Sequence, residues 1–177
     1  GQGDPDLNYE DIIELISNIK ENKTINFNIV EIDSKLNWPS GWTNTDKLYE
    51  YGSPITSLAI ESNHNKYEDI YALRNFIKNY LKSKFPNSKV NIDFLDSEKT
   101  FYLKDITEIS KIYSTPILSL LTLTNSESHN FTAESLFKNA SNTWNDNDYI
   151  KLKRWLENKG LPATNAYFAD ASGLSRK

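Results

Sequence analysis

The 177-residue sequence predicts an α+β domain with a small, mostly antiparallel sheet beside a helical lobe. Three observations carry that expectation. Apolar and polar residues alternate around Ile25, Phe27 and Ile29 and again around Val90, Ile92 and Phe94, the period of half-buried strands. Apolar stripes at helical spacing recur and crowd the C-terminal half. Strands and helices do not alternate regularly enough for a doubly wound sheet, and no repeat or low-complexity linker divides the chain.

The first helix starts at a capping position, Asn8, with Asp11 three residues on as a partial capping box. Ile12, Ile13, Leu15, Ile16 and Ile19 supply its apolar stripe, which fades near Asn22. The strand at 25–32 follows. Residues 33–51 form a long irregular connection holding Trp38-Pro39-Ser40-Gly41-Trp42, a loop packed down by its own aromatics. Residues 54–61, PITSLAIE, read as a short buried strand. The clearest helix spans 67–85, with Ile70, Leu73, Ile77, Tyr80 and Leu81 inward and Pro86 as its stop. The strand at 90–94 follows, with 100–103 as its partner. Residues 105–123 read as helix in two pieces, broken at Thr115-Pro116. Helices over 131–139 and 146–159 come next, the latter ended by Gly160. Tyr167-Phe168-Ala169 reads as a short strand entering Asp170-Ala171-Ser172-Gly173-Leu174-Ser175-Arg176. The chain divides into a mixed part over 1–104, a helical lobe over 105–160 and a return towards the sheet over 161–177, all within one domain.

Composition narrows the chemistry. A hydrophobic fraction of 38% with 25% charged residues suits a chain that buries a core, which argues against disorder. The net charge of -4 provides no basic footprint for a nucleic acid. Cysteine is absent, which excludes disulfides, a thiolate nucleophile and Cys-held zinc or iron-sulfur clusters. His64 and His129 are the only histidines, too few for a multi-His metal site, so neither a metal nor a cofactor is expected. No apolar run is long enough for a membrane span, and no signal peptide is visible. The opening Gly1-Gln2-Gly3-Asp4-Pro5 reads as the interior of something longer.

Most short motifs dissolve under their chemistry. Gly1-Gln2-Gly3 lacks the strand and third glycine of a dinucleotide fingerprint. Asp4 and Asp6 on a turn read as solvated carboxylates. Ser128 and His129 are chain neighbours, a poor geometry for a Ser-His nucleophile pair. Ser-x-x-Lys spacing occurs at Ser17 to Lys20 and Ser135 to Lys138. Both matches fall inside amphipathic helices, whereas such a nucleophile belongs at a helix N-terminus. The turn Asn125-Ser126-Glu127-Ser128-His129-Asn130 differs, because it concentrates hydroxyls and amides between two apolar helices.

Several segments in order resemble one family. Gly1-Gln2-Gly3-Asp4-Pro5 is similar to a Gly-Gly-Gly-Asp-Pro segment. Gly41-Trp42, Tyr51 and Pro54-Ile55-Thr56-Ser57-Leu58 resemble a Gly-Trp, a Tyr and a Pro-Val-Ser-Ala-Leu strand. Ser114-Thr115-Pro116-Ile117-Leu118-Ser119 resembles Ser-Pro-Pro-Leu-Ser, and residues 125–130 resemble Asn-x-x-Ser-x-Asn, followed by Ala133-Glu134. Asp170 to Arg176 resembles Asp-Gly-Ser-Gly-Leu-Ser-Arg with Ala171 for the first Gly. Together they resemble the serine D-alanyl-D-alanine carboxypeptidase/endopeptidase family, the class C low-molecular-mass penicillin-binding proteins. The resemblance implies an incomplete DD-peptidase/β-lactamase-like (transpeptidase) fold and a hydrolase of the bacterial cell wall, periplasmic or otherwise extracytoplasmic. Its partners would be a peptidoglycan peptide ending in D-Ala-D-Ala and, for a full-length protein, β-lactams. A class A β-lactamase also uses such a turn, but Gly173-Leu174-Ser175-Arg176 speaks for the peptidase.

Carried over residue by residue, Ser128 would join the proton relay and Asn130 would hold the substrate's peptide carbonyl. Ser172 and Ser175 would be structural. The family's Ser-x-x-Lys would precede residue 1 and its Lys-Thr-Gly would follow residue 177. Lys23-Thr24-Ile25 and Lys99-Thr100-Phe101 lack the glycine and the position. The chain alone is therefore expected to be inactive. The alternative is a non-catalytic binding or scaffold domain of the same fold.

Overall fold

The computed structural model describes residues 3–31, 38–64, 68–96, 107–141, 144 and 148–175. In chain order the elements are α1 (Tyr9–Ser17), β1 (Thr24–Glu31), α2 (Glu68–Lys84), β2 (Lys89–Asp96), α3 (Ile117–Ser126), α4 (Asn130–Ser141) and α5 (Asp148–Asn158). The α+β class therefore holds, with five helices and one two-stranded sheet among the described residues.

The capping box at α1 is complete. Asn8 Oδ1 accepts from the Asp11 N–H (3.1 Å), and Asp11 Oδ2 accepts from the Asn8 N–H (2.9 Å). Two N–H groups that a helix start leaves orphaned are thus satisfied reciprocally. Ile12 and Ile16 face inward as the stripe required.

The sheet corrects one expectation. β1 and β2 pair in parallel, not antiparallel, in a register that sets Ile25 beside Val90, Phe27 beside Ile92 and Ile29 beside Phe94. The cause is the connection. Parallel strands need a crossover, and the 17-residue α2 lies between β1 and β2 and packs on β2. The expected antiparallel partner at 100–103 lies outside the described residues. Leu73, Ile77 and Leu81 of α2 join Ile12, Ile16, Ile25, Ile29, Phe85, Val90 and Ile92 in one core.

Three other expectations change. Residues 54–61 are buried except for half-buried Leu58 and exposed Glu61, but form no strand; Ile55 makes a single bridge, and Asn63 Nδ2 holds the segment by donating to Pro54 O and Thr56 Oγ1, both at 2.8 Å. Residues 107–114 are mostly exposed and not helical, and Pro116, with extended ψ, opens α3. Residues 167–169 form no strand. Gly160 does end the last helix, in a left-handed conformation (φ +77°) that glycine adopts without steric cost.

A second core of Trp42, Ile55, Ala59, Phe131 and Trp144, flanked by Trp38 and Leu174, joins the Trp-rich loop to α4. No helix among the described residues is long and apolar enough to cross a membrane.

Candidate active site

The Ser-x-Asn turn sits at the junction of α3 and α4. Glu127 closes α3, its N–H donating to Leu123 O (3.0 Å). Ser128 then takes a left-handed conformation (φ +53°), which reverses the chain in a single residue. A residue with a Cβ bears a cost of about 1–2 kcal/mol there, and such strain is held where surrounding structure demands it. The reversal leaves Ser128 exposed and makes Asn130 the first residue of α4.

Asn130 is buried, and its Nδ2 donates to the Tyr51 carbonyl at 3.0 Å. This bond ties two segments that the sequence singles out 79 residues apart. Tyr51 belongs to a pair of tight turns over Asp46–Leu48 and Glu50–Gly52, which Asp46 organises by accepting from the Thr43 N–H and hydroxyl (2.9 and 2.6 Å). Gly52 is required in that turn because a Cβ would run into the Asp46 carbonyl.

One helical turn beyond Asn130, Glu134 is 1% exposed. Its Oε1 accepts from the N–H groups of Ala171 (2.8 Å) and Ser172 (2.9 Å). The Ser172 hydroxyl faces the same carboxylate short of good hydrogen-bond geometry. Burial pushes the carboxyl above its ordinary range; the amides pull it back down, and neighbouring Asp170 pushes it up again.

Asp170 in turn shapes the glycine-bearing loop. Its Oδ1 accepts from Gly173 N–H (2.8 Å), and its Oδ2 from Ser175 N–H and the Trp42 indole (3.1 Å). Gly173 is left-handed (φ +79°), as a tight turn favours. Gly41 lies so close that a Cβ would meet the Ser175 hydroxyl and stand 2.7 Å from Ala169 Cβ. Gly3 packs the same way onto α4: a Cβ there would lie 2.9 Å from Ser135 Oγ, while its N–H donates to Ser57 O. Four segments remote in sequence, around Gly3, Trp42, Tyr51 and Ala171, thus converge on α4.

His129 does not pair with Ser128. Its Nδ1 lies 2.6 Å from the Thr132 hydroxyl, and its ring meets His64 edge-on at 6.0 Å. His64 follows three consecutive left-handed residues, Glu61, Ser62 and Asn63, held by Ser62 Oγ donating to Pro5 O (2.9 Å) and by the Asn63 bonds. Burial lowers the His129 pKa from 6.5, the His64 charge lowers it further, and Asp6 opposes both. A histidine depressed in the folded state contributes stability in full above its unfolded value. That stability is lost as pH falls from about 6.5 through the lowered folded value. Thermal melts between pH 7.5 and 5 are expected to show this loss in the parent and a flatter profile in His129→Gln; equal slopes would remove His129 as the cause.

Neither Ser-x-x-Lys match stands at a helix N-terminus. Ser17 ends α1 and donates to Glu14 O (2.7 Å). Ser135 is buried in mid-α4 against Gly3, and Lys138 is drawn over the Trp144 ring at 6.0 Å. Ser135 lines a pocket of about 500 Å³ together with Leu7, Ile12, Leu58, Leu120 and Leu136 among others; neither Ser128 nor Asn130 lines it. Among the described residues no cluster of three or more His, Asp or Glu could hold a metal.

The sequence marks Ser128 and Asn130, and Glu134 only as part of Ala133-Glu134. The Glu134 signal was its position, i+4 from Asn130, on the helix face that holds Asn130. The family model of the D-Ala-D-Ala carboxypeptidase 3 (S13) family matches residues 69–177. That span holds the Ser128-x-Asn130 turn, Glu134 and the 170–175 loop, and leaves Gly3, Gly41 and Tyr51 outside. No curated protein and no solved structure shows a significant match to the chain.

Proposed function

This chain belongs to the D-Ala-D-Ala carboxypeptidase 3 (S13) family, and from that premise we propose that it carries the Ser-x-Asn portion of a serine-type active site of the class C penicillin-binding kind. Its function is D-Ala-D-Ala carboxypeptidase-related, acting on peptidoglycan peptides. On this reading the work is done outside the cytoplasm. Residues 1–104, 105–160 and 161–177 are then parts of one incomplete DD-peptidase domain.

The observation that supports this most is the Ser128-His129-Asn130 turn itself. It presents an exposed hydroxyl at a strained reversal beside an amide fixed by Tyr51. A hydroxyl is both donor and acceptor, so Ser128 can pass a proton from a nucleophilic serine's base to the departing D-Ala amine. An amide at a fixed place can orient a peptide: Asn130 holds the scissile peptide's neighbouring carbonyl, so reacting atoms meet aligned. Ser172 and Ser175 shape the adjoining loop. The acyl-forming serine and its lysine, together with the Lys-Thr-Gly strand that faces them, are contributed by polypeptide other than these 177 residues. Without them nearly all chemistry is lost, because such groups act as a unit.

The expected result is that the 177-residue chain retains no fluorescent penicillin through a denaturing gel and releases no D-Ala from an acyl-D-Ala-D-Ala peptide. Joined to a Ser-x-x-Lys segment and a Lys-Thr-Gly strand it does both, and Ser128→Ala or Asn130→Ala in that longer protein slows release by about 10²-fold or more. Labelling of the 177-residue chain by itself would overturn this division of the site.

A further inference from the structure

We infer that Glu134 is a positioning residue, clamping the 170–175 loop onto the helix that begins with Asn130, so that loop and Ser-x-Asn turn form one rigid wall. As a statement about a substrate site this rests on the proposed function; as a statement about geometry it can be tested with no substrate present.

The geometry is specific. One carboxylate oxygen of Glu134 takes both the Ala171 and Ser172 N–H groups, 37 and 38 residues away. Two consecutive backbone donors on one acceptor fix the direction of a strand of chain, not merely its distance. Those residues lead directly from Asp170, whose carboxylate receives Gly173, Ser175 and the Trp42 indole. Ser175 Oγ then donates to Gly41 O (3.3 Å). The path therefore runs from Asn130 along one turn of α4 to Glu134, across to the loop, and on to the Gly41-Trp42 segment. A residue needed only to fill space there would be apolar, since a buried carboxylate carries a desolvation cost.

Protonation gives the clamp a distinguishing signature. The groups facing Glu134 are the amides of Ala171 and Ser172, the Ser172 hydroxyl and, as the neighbouring charge, Asp170; Lys138, one turn on along α4, lies over Trp144. Burial outweighs the amides, so the docked state holds the proton more firmly than an undocked, hydrated carboxyl does. By linkage the docked loop is favoured below the raised pKa and loosened as pH rises through it.

The test is amide hydrogen exchange and NMR on the whole chain, with Glu134→Gln and Glu134→Leu beside the parent. Glutamine keeps the acceptor and removes the titration; leucine keeps apolar packing and removes the acceptor. Expected in the parent is protection of Ala171 and Ser172, corrected for intrinsic exchange, that declines as pH rises through the Glu134 titration. In Glu134→Gln the protection persists and is flat with pH. In Glu134→Leu it falls by about tenfold or more, and the Trp42 indole N–H signal shifts with it. A purely space-filling role predicts the reverse order, leucine holding the loop better than glutamine. That order, or the same pH profile in parent and Glu134→Gln, would overturn the inference. Should Glu134→Leu not fold, the comparison of parent with Glu134→Gln decides alone. A chain that shows this clamp while its longer form releases no D-Ala refutes the proposed function and leaves the clamp standing.

Discussion

Gly41→Val is expected to unseat the 169–175 segment and to lower stability by about 3 kcal/mol, the upper part of the usual range for forcing atoms into a packed site. Even the first carbon of a side chain at 41 would meet the Ser175 hydroxyl and stand 2.6 Å from Ser175 Cβ and 2.7 Å from Ala169 Cβ. Valine adds two methyls to that collision. The loop cannot simply shift, because Glu134 holds its start and Asp170 holds its interior. Displacing it would leave the buried Glu134 carboxylate without its two amide donors and would take Asp170 from the Trp42 indole. For a chain of this length the loss corresponds to a fall in melting temperature of about 6–12 °C. Differential scanning calorimetry measures it, and Trp42 fluorescence should move to longer wavelength as the indole loses its partner. A melting temperature within about 2 °C of the parent would mean that Gly41 is a turn residue and not a contact.

Leu81→Ala should cost as much from the other core. Leu81 is fully buried, on the face of α2 that also carries Leu73 and Ile77 towards β1 and β2. Removing a buried leucine forfeits its transfer energy and leaves a cavity, about 2–5 kcal/mol together. The upper half of that range is expected, because Leu81 is fully buried in a cluster drawn from α1, α2, β1 and β2. Leu118→Ala is the matched control: Leu118 is 73% exposed on α3 and should change stability by no more than about 0.5 kcal/mol. Urea unfolding of the two variants distinguishes them, and equal midpoints would contradict the assignment of Leu81 to the core. The Gly41 and Leu81 losses should be additive, since the Ser175 and Ala169 side chains that crowd Gly41 lie outside the cluster that holds Leu81.

Elements whose burial has a local period were legible along the chain. The Asn8 and Asp11 pair announced α1 because a capping box is a contact between residues three apart. Leu73, Ile77 and Leu81 announced α2, and the alternation at 25–29 and 90–94 announced both strands, because the period records which side faces the core. Ser128 and Asn130 stood out because a polar turn between two apolar helices is visible along the chain. The rest depends on contacts between segments far apart in the chain. Strand alternation is the same in either direction, so the parallel pairing came from the crossover and not from the pattern. Residues 54–61 carried the pattern of a strand, yet their backbone is held by Asn63 and the 3–7 segment. Residues 107–114 have the apolar residues of a helix and remain mostly exposed outside any helix. Gly41 stands in the sequence only as part of a Trp-rich loop and Glu134 only as part of Ala133-Glu134, since their partners lie 134 and 37 residues away. Hydrogen bonds and close approaches over such separations leave no period in the chain; they exist only once the fold has brought Gly41, Asn130, Glu134 and the 170–175 loop together around α4.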